Sequence, residues 1–90
     1  MEWEIGFSRQ AEKFLAKQHL PDKFVITRVL KALKKLFHES EESVDIRKLS
    51  GAWTGYYRIR SGDIRIIFSF NAHERRVFIE VVDYRGGAYR

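Results

Sequence analysis

Between Ile64 and Phe70 every second residue is apolar: Ile64, Ile66, Phe68 and Phe70. Side chains alternate across a β-strand, so these four share one face that has to be buried, and Arg65, Ile67 and Ser69 point the other way. Such a strand needs paired neighbours and an apolar layer against its core face. The flanking sequence offers neighbours on both sides. Tyr56-Tyr57-Arg58-Ile59-Arg60 alternates ahead of the turn residues Ser61-Gly62-Asp63, and Val77 to Val82 reads as another strand after the turn Asn71-Ala72-His73-Glu74.

The covering layer comes from the first half of the chain. Trp3-Glu4-Ile5-Gly6-Phe7 alternates as a short first strand, and Ser8 then offers an N-cap. Ala11, Phe14 and Leu15 follow at i, i+3 and i+4, a narrow helical stripe. Pro21 and Asp22 suit a second helix start, where the dipole favours acidic charge. On that longer helix Ile26, Val29, Leu30, Leu33, Leu36 and Phe37 form one face, and Arg28, Lys31, Lys34, Lys35 and His38 the other. The acidic stretch Glu39 to Ser43 ends it, and Val44 to Thr54 reads as an irregular connection. The expected fold is α+β: an N-terminal strand, a two-helix hairpin, then a three-stranded antiparallel meander with the helices packed on one face.

Ninety residues suit one compact domain spanning 1–90 and leave little stability to spare for a deep internal cavity, so function is expected on the surface. No apolar run approaches the ~20 residues of a membrane span, and the first residues lack the basic start and apolar stretch of a signal peptide. A cytoplasmic location follows as an expectation. Cysteine is absent, which removes disulfides, thiolate nucleophiles and cysteine zinc sites, and His19, His38 and His73 show no ligand spacing. Neither a metal nor a cofactor is expected. Seventeen Lys and Arg against twelve Asp and Glu give a net charge of +5, which suits a partner rich in phosphate or carboxylate.

The alternation also sorts the arginines. Arg58 and Arg60 share one face of their strand, and Arg65 lies opposite the apolar face of the next. If the hairpin keeps its core faces together, the three gather on the sheet face away from the helices, within reach of Arg85 and Tyr89. Guanidiniums grip phosphates bidentately, and rings such as Tyr56, Tyr84 and Tyr89 can stack on unpaired bases. The same arginines equally fit a solvated face that deters edge pairing, with Glu80 neutralising one of them, and the basic stripe of the second helix fits an ordinary solvated surface. As an outward residue, Arg65 should be replaceable by alanine at a cost of about 0.5 kcal/mol or less.

The stretch Leu49-Ser50-Gly51-Ala52-Trp53-Thr54-Gly55-Tyr56-Tyr57-Arg58-Ile59-Arg60-Ser61-Gly62-Asp63-Ile64-Arg65-Ile66-Ile67-Phe68 resembles the central signature of RelE/ParE toxins, and Val82-Asp83-Tyr84-Arg85-Gly86-Gly87-Ala88-Tyr89-Arg90 resembles their C-terminal signature. The resemblance spans essentially the whole chain. It implies a RelE-like fold, a cognate antitoxin protein as partner and, in the RelE branch, ribosome-dependent cleavage of mRNA without a metal. By the same resemblance Arg65, Arg85 and Tyr89 are the catalytic candidates, and Arg58, Arg60 and Tyr84 the RNA-binding ones. Tyr84 stands where many relatives carry a histidine, which departs from histidine acid–base chemistry and leaves Glu80, Asp83, a tyrosine or the ribosome as proton acceptor. The ParE branch, which inhibits DNA gyrase, and an inactive toxin that only binds its antitoxin are the alternatives the resemblance carries.

Overall fold

A computed structural model describes residues 2–84. In chain order it contains strand β1 (Glu4–Phe7), helix α1 (Arg9–Lys17), helix α2 (Asp22–Leu36), strand β2 (Ile46–Lys48), a 3₁₀ turn (Gly51–Trp53), and strands β3 (Tyr57–Ser61), β4 (Ile64–Asn71) and β5 (Arg76–Tyr84). The strands form one sheet in the order β1-β5-β4-β3-β2. Within it β3, β4 and β5 are the expected antiparallel neighbours, but the sheet is larger and mixed. Ile46–Lys48, inside the stretch read as irregular, pairs antiparallel with β3, and β1 pairs in parallel with β5. Three residues are too few to carry a period-two signal, and a parallel partner fixed by long-range packing leaves no local mark.

Both helices lie on one face, as expected. Ala11 and Leu15 of α1 and Val25, Val29, Ala32 and Leu33 of α2 close on Ile59, Ile64, Ile66, Phe68, Val77, Ile79 and Val82 of the sheet. The buried stripe of α2 is rotated from the sequence expectation: Val25 and Ala32 are in it, whereas Phe37 stays exposed and stacks on Trp3 with ring centroids 6.2 Å apart. Among the described residues no helix is long and apolar enough to cross a membrane.

The helix ends explain two of the three histidines. At the end of α1, His19 has φ 58°, its N–H donates to the Ala16 carbonyl, and the Leu20 N–H reaches back to Leu15. At the end of α2, His38 has φ 60°, with His38 donating to Lys35 and Glu39 to Lys34. Both are Schellman terminations, built on a left-handed residue that is usually glycine. His19 and His38 therefore stop helices.

Ser8 ties the helix layer to the sheet. Its hydroxyl accepts from the Ala11 N–H, capping α1, and donates to the Glu80 carbonyl at 2.6 Å. Beyond the end of β1, the Gln10 amide takes over as a surrogate strand: Nε2 donates to the Val82 carbonyl and Oε1 accepts from the Val82 N–H, at 2.9 and 3.0 Å. Gln10→Ala is expected to cost about 1–3 kcal/mol, because it strips both backbone groups of a fully buried residue. Urea denaturation should show the loss as a lower midpoint with an unchanged slope.

Candidate functional site

Away from the helices, cross-strand register sets two adjacent rows on the outer sheet face. One runs Arg47, Arg58, Ile67, Val81; the next runs Arg60, Arg65, Asp83. Four guanidiniums from three strands thus converge where period-two alternation sends them. Arg58, Arg60 and Arg65 come together as the sequence indicated. Arg47 escaped the sequence reading, because the three-residue β2 gave no alternation on which to place it.

The members of this cluster differ sharply. Arg65 donates from Nε and Nη2 to the two carboxylate oxygens of Asp83, at 2.9 and 2.8 Å. The Arg65 side chain is 30% exposed and that of Asp83 14%. This bidentate pair overturns the expectation that Arg65 is an ordinary surface residue: it fixes the guanidinium plane, and it engages both oxygens of a carboxylate that was a candidate proton acceptor. Arg60 is exposed.

Arg58 corrects a second expectation, since it is only 8% exposed and presents no open fork to solvent. The physical reason is β2. With that strand in place β3 is interior to the sheet, and Arg58 lies between Arg47 and Ile67, itself 6% exposed. Arg58 Nη2 stands 3.4 Å from Asp45 Oδ1, and its buried Nε has no hydrogen-bond partner among the described residues. Burial, and then repulsion from Arg60, pulls its pKa below the ordinary value; Asp45 opposes them, and Arg47 adds a smaller downward push.

Tyr84 does not join the arginines. Alternation in β5 turns its ring to the helix side, edge-on to Phe14 at 5.2 Å, and its hydroxyl donates to Gln18 Oε1. The ring is therefore committed to packing. Tyr56 is half-buried in the connection before β3, edge-on to Trp53 at 5.1 Å. Glu80 sits where the β4–β5 register slips between Ile67 and Phe68, so among the described residues it has no cross-strand partner. Arg85 and Tyr89 lie outside the described residues. Among the described residues no group of histidine, aspartate and glutamate could hold a metal ion. What the outer face can do is bind a phosphate through fixed guanidiniums and stabilise charge building on its oxygens.

Comparison with solved structures gives consistent matches over nearly the whole chain. The archaeal RelE–RelB complex of Pyrococcus horikoshii OT3 matches at 34% identity and TM-score 0.60, covering 98% of this chain and 100% of that one. The YoeB–YefM toxin–antitoxin complex of Staphylococcus aureus matches at 22% identity and TM-score 0.62, covering 96% and 100%. The toxin–antitoxin complex RelBE2 of Mycobacterium tuberculosis matches at 24% identity and TM-score 0.59, covering 94% and 100%. No family model and no curated protein sequence matches.

Proposed function

The chain belongs to the RelE-like family of type II toxins, and from that premise we propose that it is an endoribonuclease that cuts messenger RNA on the ribosome until a cognate antitoxin covers it. The observation that carries this reading is the Arg60–Arg65–Asp83 row: one exposed guanidinium beside another locked in plane by a carboxylate. In the proposed reaction the RNA 2′-oxygen attacks its neighbouring phosphorus as the P–O5′ bond breaks. The 2′-hydroxyl proton passes to a base, the departing 5′-oxygen gains a proton, and a 2′,3′-cyclic phosphate remains. No redox step occurs, and the charge gathering on the phosphoryl oxygens is what Arg65 and Arg60, with Arg85, would stabilise.

Because Arg65 occupies both Asp83 oxygens, the proton acceptor falls to Tyr89, Glu80 or the ribosome. Tyr89→Phe and Tyr89→Ala separate two roles. Loss of cleavage in both assigns proton transfer to the hydroxyl; loss in Tyr89→Ala alone assigns base stacking.

The antitoxin part of the reading draws on the relatives solved as toxin–antitoxin complexes and on the basic outer face, which suits an amphipathic, partly acidic segment. Co-expression with the neighbouring reading frame should give a stable complex on gel filtration. A paired assay tests the activity: in a purified translation system the protein should produce discrete mRNA cuts only when ribosomes are present, and it should leave gyrase supercoiling untouched. Blocked supercoiling with intact mRNA would overturn the nuclease reading.

A further inference from the structure

A second basic site lies around the edge from the arginine rows, in a pocket of about 280 Å³ between α2 and the end of β3. Arg28, Lys31, Arg60, Ser61, Ser43 and Asp45 are among the residues that line it. Arg28 is fixed in place: Nε donates to Ser61 Oγ at 2.7 Å, Nη1 donates to the Phe24 carbonyl at 2.9 Å, and the guanidinium lies 3.7 Å over the Phe24 ring. Holding a long cation this way removes much of the ordering cost of gripping a ligand. Among the described residues Asp45 is the one carboxylate in the lining and stands against Arg58, while Lys31 has an exposed ion pair with Glu42 at 3.3 Å. Such exposed pairs are weak and exchange readily for a phosphate.

Arg60 joins the two places at the sheet edge: its side chain stands in the outer-face row with Arg65, and the residue forms part of the pocket wall between Ile59 and Ser61, its backbone N–H donating to the Asp45 carbonyl. A chain of phosphates crossing the outer face can therefore turn over Arg60 and continue between Arg28 and Lys31. We propose that the pocket is a second phosphodiester subsite, holding the backbone of single-stranded substrate RNA next to the segment on the outer face. This rests on the nuclease reading. It gives part of the basic side of α2 a use, where the sequence pattern alone reads as an ordinary solvated helix surface.

The test measures binding of two uncleavable 2′-O-methyl RNAs, of roughly three and roughly ten nucleotides, across a salt series. For Arg28→Gln/Lys31→Gln the salt slope with the longer RNA should shrink by about 0.7 for each phosphate that is no longer neutralised, while the shorter RNA binds as to the parent. Lys13→Gln, which removes one charge from the exposed side of α1, should alter neither. If Arg28→Gln prevents folding, Lys31→Gln alone should still show the change expected for one phosphate. Parental binding of the longer RNA, or equal losses for both lengths, would overturn the subsite. So would a loss confined to ribosomes without message, which would assign the phosphates to ribosomal RNA, or one confined to antitoxin binding, which would make the pocket a protein-binding surface. A parent that cuts mRNA and a double variant that matches it remove the subsite alone; a parent that neither binds RNA nor cuts removes the nuclease reading with it.

Discussion

Arg65→Ala is expected to slow cleavage of ribosome-bound mRNA by roughly 10²–10³-fold, the scale on which one preorganised charge-stabilising donor is lost. It should also lower stability by about 1–3 kcal/mol, because Asp83, only 14% exposed, would lose the partner of both its oxygens. The two effects can be separated. In Arg65→Ala/Asp83→Ala no carboxylate is stranded, so much of the stability should return while cleavage stays lost. Asp83→Asn keeps the shape, removes the charge that holds the guanidinium plane, and should slow cleavage less than Arg65→Ala does. Single-turnover rates and urea midpoints on the four proteins decide it. An Arg65→Ala protein that cuts at the parental rate would sink the proposed site, and one that recovers activity together with stability in the double variant would make Arg65 purely structural.

Much of this site was legible because alternation is a local property. Ile64, Ile66, Phe68 and Phe70 are enough to send Arg65 to the outer face, and the two-residue turn at Gly62, whose φ is +59°, is enough to place Arg60 opposite it. Burial was not legible, since it depends on what lies alongside. Arg58 changes from an exposed grip to a buried cation because Ile46–Lys48 adds a strand beside it, and three residues carry too little periodicity to announce one. Asp83 was visible in the sequence as a charge, but its bond to Arg65 follows from the β4–β5 register, which includes a slip at Ile67 and Phe68 that no residue pattern marks. Tyr84 shows the same limit. The sequence offers its ring as a base-stacking group at the start of the tail, whereas β5 continues through it and the register slip turns it to the helix side, where Phe14 and Gln18 occupy it.

Phe68→Ala should give the largest loss of stability, about 3–5 kcal/mol. The side chain is fully buried on β4, which has strands on both sides, and it packs on Tyr57 with ring centroids 5.9 Å apart in the layer beneath the helices. A chain of this size can hold only about 5–15 kcal/mol in total, so the variant should be marginal at growth temperature, with Tm lowered by about 15–30 °C. Phe78→Ala is the matched control, since that ring is exposed and its removal should cost about 1 kcal/mol or less. Phe68 points away from the arginine rows, so its loss should act through the folded fraction and not through the chemistry. Cleavage measured in the cold, where the variant is still folded, should be within a few-fold of the parental rate and should collapse on warming in step with the unfolding curve. A rate already reduced 10²-fold while the circular dichroism is native would show instead that the core layer sets the geometry of the outer face, and that Arg60 and Arg65 are not held by the sheet and Asp83 alone.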